Sequence, residues 1–213
     1  MEMWARRKLL SAILPVCFLV VGVSFGTPSL ARTQKIELQA KSFIDGLAGA
    51  AISALTAPGS TEAQRAQRFR QLLDENFAVN TIARWVLGRH WRNATKAERV
   101  EYLKLFQELL IATYVNRFAS YTGETLKIDK TVLTGDNDVT VYSSIVRDTS
   151  QPPLHVDWRV RSRKNSLKII DVIVEGVSMG QTQRSEFSSV IRQNGGKLEG
   201  LLIELRKRIG SNS

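Results

Sequence analysis

Apolar residues recur at three- and four-residue intervals over the first half of the chain, then at every second position from Thr125 onward. Ile36, Ala40, Phe43, Leu47, Ala51 and Leu55 fall on one face of a helix over 33–55, which the Ala57-Pro58-Gly59-Ser60 run ends. Thr61 with Gln64 makes a capping box that opens a second helix carrying Phe69, Leu72, Leu73 and Phe77. Asn80 is the expected cap of a short helix ended by Gly88. A second capping box, Thr95 with Glu98, opens the longest helix, expected over 96–120 and about 37 Å long, enough to back a whole sheet. Its predicted stripe is Val100, Leu103, Phe106, Leu109 or Leu110, Tyr114 or Val115, and Phe118.

The period of two predicts strands over 125–133, 138–147, 154–162 and 166–175, separated by Gly135-Asp136-Asn137, Gln151-Pro152-Pro153 and Lys164-Asn165. In the third, Leu154, Val156, Trp158 and Val160 face one way, and His155, Asp157, Arg159 and Arg161 the other. In the fourth, Ile170, Val172 and Val174 are the predicted apolar face. Short links imply an antiparallel meander with one packed and one solvated face. Two helices, about 179–194 and 197–209, close the chain around Gly195-Gly196. The expected architecture is α+β, with helices packed on one face of a curved four-stranded antiparallel sheet.

The first thirty residues change the picture of where this domain operates. Arg6, Arg7 and Lys8 precede an apolar run from Leu9 to Phe25, and Ser29 and Ala31 give a −3/−1 small-residue pattern. Residues 1–31 therefore read as a signal peptide cleaved after Ala31, and 32–213 as one domain. Removing them leaves a net charge of +8 and no cysteine, since Cys17 lies inside the apolar run. Such a chain tolerates an oxidising compartment without a disulfide framework. A basic excess would ordinarily raise nucleic acid as a partner; export points instead to anionic lipid or an acidic protein.

Two histidines and one cysteine in 213 residues leave little for metal or nucleophilic chemistry. Gly176-Val177-Ser178-Met179-Gly180 matches the G-x-S-x-G nucleophile elbow, between a strand and a helix. No histidine follows Ser178, however, and His90 and His155 both precede it. Ser178 is better read as the cap of the next helix, with Gln181 completing the box. Asp171 reads as an edge or solvent-facing carboxylate paired with an arginine. Arg159, Arg161, Arg163, Lys164 and Lys168, with Arg206, Lys207 and Arg208, read as a solvated basic face.

Two blocks carry a more specific signal. Val86-Leu87-Gly88-Arg89-His90-Trp91-Arg92-Asn93-Ala94-Thr95 continues through Glu98-Arg99, Phe106, Tyr114 and Tyr121-Thr122-Gly123-Glu124. Asp171-Val172-Ile173-Val174-Glu175-Gly176-Val177-Ser178-Met179 is followed by Gln183-Arg184-Ser185-Glu186-Phe187. In this order and spacing they resemble the MlaC family of periplasmic lipid-binding proteins, also called toluene-tolerance proteins, over about residues 35–209. The resemblance implies a non-enzymatic shuttle without cofactor. It would carry phospholipid between an outer-membrane lipoprotein complex and an inner-membrane complex containing an ABC transporter. The acyl chains would enter an apolar cavity between sheet and helices, for which Tyr114, Phe118, Val156, Trp158, Val160, Ile170, Val172, Val174 and Met179 are the candidates. A hopanoid-associated branch of the family is the alternative, and a Ser178 esterase the contrasting class.

Overall fold

The computed structural model describes residues 28–115, 123–147, 152–164 and 166–211. Helix α1 (Pro28–Leu55) leads into α2 (Glu62–Asn76), α3 (Val79–Leu87), the single turn α4 (His90–Asn93) and α5 (Lys96–Tyr114). Strands β1 (Thr125–Leu133), β2 (Asp138–Val146), β3 (Leu154–Arg163), β4 (Ser166–Val174) and β5 (Val177–Ser178) form one antiparallel sheet in chain order. Helices α6 (Met179–Gln193) and α7 (Leu198–Ser211) close the fold. The α+β expectation holds, with a fifth strand added. That two-residue strand returns from β4 through Glu175 and Gly176, at φ 48° and 78°, the pair of positive angles a type I′ hairpin requires.

Local chemistry sets most boundaries. Both capping boxes form: Thr61 Oγ1 accepts from Gln64 N, and Thr95 Oγ1 from Glu98 N, each with the reciprocal carboxamide or carboxylate bond. Helix α3 is capped by Ala78 and not by Asn80, because the chain enters it directly from the sheet: Ala78 N donates to Ile169 O at 2.9 Å. Gly88 ends it at φ 60° as expected.

The interior is divided into two clusters. Ile36, Ala40 and Ile44 of α1 lie on Val139, Val141, Val160 and Ile169 of the sheet. A second cluster joins α2, α3, α5, α6 and α7 around Tyr102, Phe106 and Phe187, whose ring centroids are 5.9–6.3 Å apart. Phe77 packs against both clusters. The expectation for α5 is corrected in two respects. It packs against α7, α2 and α3 while α1 backs the sheet, and its buried residues are Tyr102, Phe106, Leu109 and Ile111, with Val100 exposed. A helix with neighbours on several sides has apolar residues around much of its circumference, so periodicity alone does not set its phase. Residues 116–120 of the expected helix, Phe118 included, lie outside the described residues.

Candidate functional site

Cross-strand register assembles one apolar wall on the face toward α1. Val156 lies opposite Val174, Trp158 opposite Val172 and Val160 opposite Ile169, while Val139 and Val141 of β2 face Val160 and Trp158. Side chains directly opposite share a face, so the predicted alternation of β3 is met. In β4 the prediction is corrected: the register shifts at Ile170, the extra residue of a bulge, and fully buried Ile169 takes the place assigned to it. The run Lys168–Val174 is apolar at both parities, so the sequence could not reveal the slip.

Coverage divides the wall. Beneath α1, Val139, Val141, Val160 and Ile169 are at most 1% exposed. Leu126, Ile128, Ile145, Leu154, Trp158, Val172 and Val174 are only half-buried, and Val156 is buried among them. Within this apolar surface Trp158 Nε1 donates to Ser143 Oγ at 3.1 Å, and Ser143 Oγ donates to Val156 O. The indole is thereby held by a polar atom without exposing an unpaired one. Ser143 continues the period-two series Val139, Val141, Ser143, Ile145; that spacing was the available signal for it. Tyr114 ends α5 and Met179 begins α6, both half-buried and neither on a strand of the wall. An open trough of about 470 Å³ runs between α1 and the β3–β4 hairpin, lined by Leu38, Gln39, Ser42, Phe43, Ser162 and Leu167. Another, about 830 Å³, follows α5 and α7. Neither is an enclosed chamber between sheet and helices.

The elbow-like motif is a structural joint. Ser178 caps α6, accepting from Gln181 N at 3.0 Å, and donates its hydroxyl to Asp171 Oδ2 at 2.6 Å. Asp171 Oδ1 accepts from Gly180 N and Val172 N. Asp171 is thus 5% exposed and spent on the start of α6, where a helix N-terminus favours negative charge; the expected solvent-facing pairing with an arginine is corrected. The Ser178 hydroxyl thus joins β4 to the first turn of α6. His155 places Nδ1 3.3 Å from Ser144 Oγ of the neighbouring strand β2. Gly180 is fixed by packing: a Cβ there would lie 2.5 Å from Trp85 Cζ3.

On the solvated face Arg161, Arg206 and Arg208 are ion-paired. Arg161 grips Asp138 through two bonds of 2.7 Å, which hold the Asp138 carboxyl below its usual range. Arg206 pairs with Glu101 and Glu199, and Arg208 with Glu204 and Glu186. Lys168 Nζ donates to the Asp74 and Glu75 carbonyls at the end of α2. Between α2 and α5, Arg70 binds Glu108 at 2.7 and 2.8 Å, and this bidentate contact lowers the pKa of Glu108. Among the described residues no group of three or more His, Cys, Asp or Glu could hold a metal ion, and no helix is long and apolar enough to cross a membrane.

Comparison with known proteins fits this architecture. The chain is 23% identical over 113 residues to the intermembrane phospholipid transport system binding protein MlaC of Haemophilus influenzae. That match covers 52% of this chain and 53% of the relative, so the chain spans about half the length of the curated relative it matches. Its fold is similar to a phospholipid-binding protein from Ralstonia solanacearum solved in complex with a phospholipid, at a TM-score of 0.70 and 22% identity. That likeness covers 81% of this chain and 98% of the other. The profile of the family described as "MlaC protein" matches residues 46–207. The chain belongs to the MlaC family.

Proposed function

We propose that this protein binds a phospholipid non-covalently and carries it between membranes, without catalysing a reaction. The observation that carries the reading is the half-buried apolar wall around Trp158, Val172 and Val174, an apolar surface built in a folded interior and left partly uncovered. Membership of the MlaC family supports it, as do a Haemophilus influenzae relative named for intermembrane phospholipid transport and a Ralstonia solanacearum neighbour holding a phospholipid. Shielding about 30 methylenes of two acyl chains from water is worth roughly 20–25 kcal/mol, so an apolar surface suffices and a reactive side chain is unnecessary. Chains lie along the open part of the wall, with the head group toward solvent. Transfer runs in the periplasm, after loss of residues 1–31, between an outer-membrane lipoprotein complex and an inner-membrane ABC-transporter complex. The described part of α1 begins at Pro28, so that cleavage would trim its first turn.

The test is binding of a fluorescent diacyl phospholipid to Val172→Glu and Val174→Glu. Both side chains are half-buried, so folded variants that lose at least tenfold in affinity are expected. The deeply covered Val160→Glu should instead fail to fold, since it buries an unpaired charge. Folded Val172→Glu and Val174→Glu proteins that bind lipid like the wild type would overturn the wall as the site.

A further inference from the structure

Arg161, Arg206 and Arg208 of the basic face readable in the sequence are ion-paired, whereas a second, clustered set of cations forms no ion pair among the described residues. Arg84, Arg89, Arg92, Arg99, Arg184 and Arg192 converge on the short stretch 84–92 from α3, α4, α5 and α6. Arg84 and Arg99 stack on the one indole of Trp91, at 5.1 and 5.3 Å from its centroid. Arg99 also donates to the Trp91 and Arg92 carbonyls. Arg184 lies 5.7 Å from the centroid of Trp85, donates to the Trp85 carbonyl and passes over Gly88. Burial, with the positive charges of Arg89 and Arg192, depresses the pKa of His90. Among the described residues none of the six has a carboxylate within ion-pair distance; every ion pair formed uses other arginines. Arg84, Arg89, Arg92 and Arg192 are exposed, and Trp85 is 38% exposed between them.

We propose that this α3–α4–α6 corner is a docking surface for a protein partner that presents a cluster of carboxylates. Charge complementarity and preorganisation select that occupant. Six guanidiniums gathered without counter-charge raise the local potential and leave planar forks suited to bidentate carboxylates. Three of them are already held by indole stacking and backbone carbonyls, so little side-chain entropy remains to be lost on docking. Exposed Trp beside Arg is the composition of interface hot spots. A fluid head-group layer has no fixed geometry to reward such preorganisation, and the patch contains no lysine. Docking of this kind deepens the carrier reading, because a carrier must be recognised where it unloads, but association is measured here independently of lipid loading.

The probe is a 20-residue poly-glutamate peptide, titrated against the wild type, against Arg89→Glu/Arg192→Glu, and against Lys127→Glu/Lys164→Glu, which carries the same change of net charge elsewhere. Among the described residues the side chains of Arg89 and Arg192 form no hydrogen bond or ion pair, so those variants stay folded, as circular dichroism will verify. The expected result is a loss of tenfold or more for the corner variant and about twofold for the control. NMR adds a local readout. The wild-type His90 pKa, held down in the free protein, should rise when peptide binds. Equal losses in both variants, an unmoved His90, or tighter binding to phosphatidylglycerol vesicles or a thymidine 20-mer than to the peptide would each overturn the proposal.

Discussion

Single side chains at the junction of β4, β5 and α6 show how a motif can be spent on architecture. Gly176 supplies a positive φ for the hairpin, Ser178 caps the helix, and Gly180 leaves room for the indole of Trp85. Adding one methyl at position 180 would place it 2.5 Å from a packed ring carbon and 3.1 Å from Asp171 Oδ1. Gly180→Ala should therefore cost about 1–3 kcal/mol through overpacking, read as a lowered melting temperature; an unchanged one would remove this explanation of the glycine. Ser143 acts in a comparable way inside the wall. Ser143→Ala leaves the Trp158 Nε1–H without its acceptor, at a cost of about 1–2 kcal/mol in urea unfolding. The freed indole should also weaken phospholipid binding, and unaltered binding would show that Trp158 needs no such support.

At the scale of elements, the contact of α2 with α5 has a strength that depends on acid. Arg70 favours the ionised Glu108, so the folded-state pKa lies below the unfolded value near 4.3. The stability this contributes is complete above the unfolded pKa and is lost as pH falls through the folded one. Both side chains are about a third exposed, 33% and 30%, which limits the contribution to roughly 0.5–1 kcal/mol. Glu108→Gln should show that deficit in denaturant melts at pH 7 and lose it as the pH falls through the folded-state pKa; a gap that persists in acid, with Glu108 protonated in both states, would point to packing instead. The strands were legible to within a residue because alternation over nine positions specifies a half-buried ribbon, and both capping boxes were legible because they act locally. Three features were hidden for physical reasons. The bulge at Ile170 sits in a run apolar at both parities, α5 has neighbours on several sides, and no local signal says which helix will cover the sheet. The candidate wall was readable on β3, whereas its β1 and β2 members and the Ser143–Trp158 bond required the register.

Across the whole molecule, the two clusters divide the labour. The helical cluster around Tyr102, Phe106 and Phe187 closes on itself, whereas the sheet is sealed by α1 over only part of its apolar face. A fold that leaves such a surface half-covered forgoes burial that would have stabilised it, which makes sense when a ligand completes the interior. The central claim is that the wall holds a diacyl lipid, and native mass spectrometry of protein purified without detergent, followed by solvent extraction, tests it most directly. The account predicts a protein carrying one phospholipid whose mass is lost on extraction and regained on adding phospholipid back. An extracted polycyclic lipid, or a lipid-free protein that takes up no phospholipid when it is supplied, would contradict it.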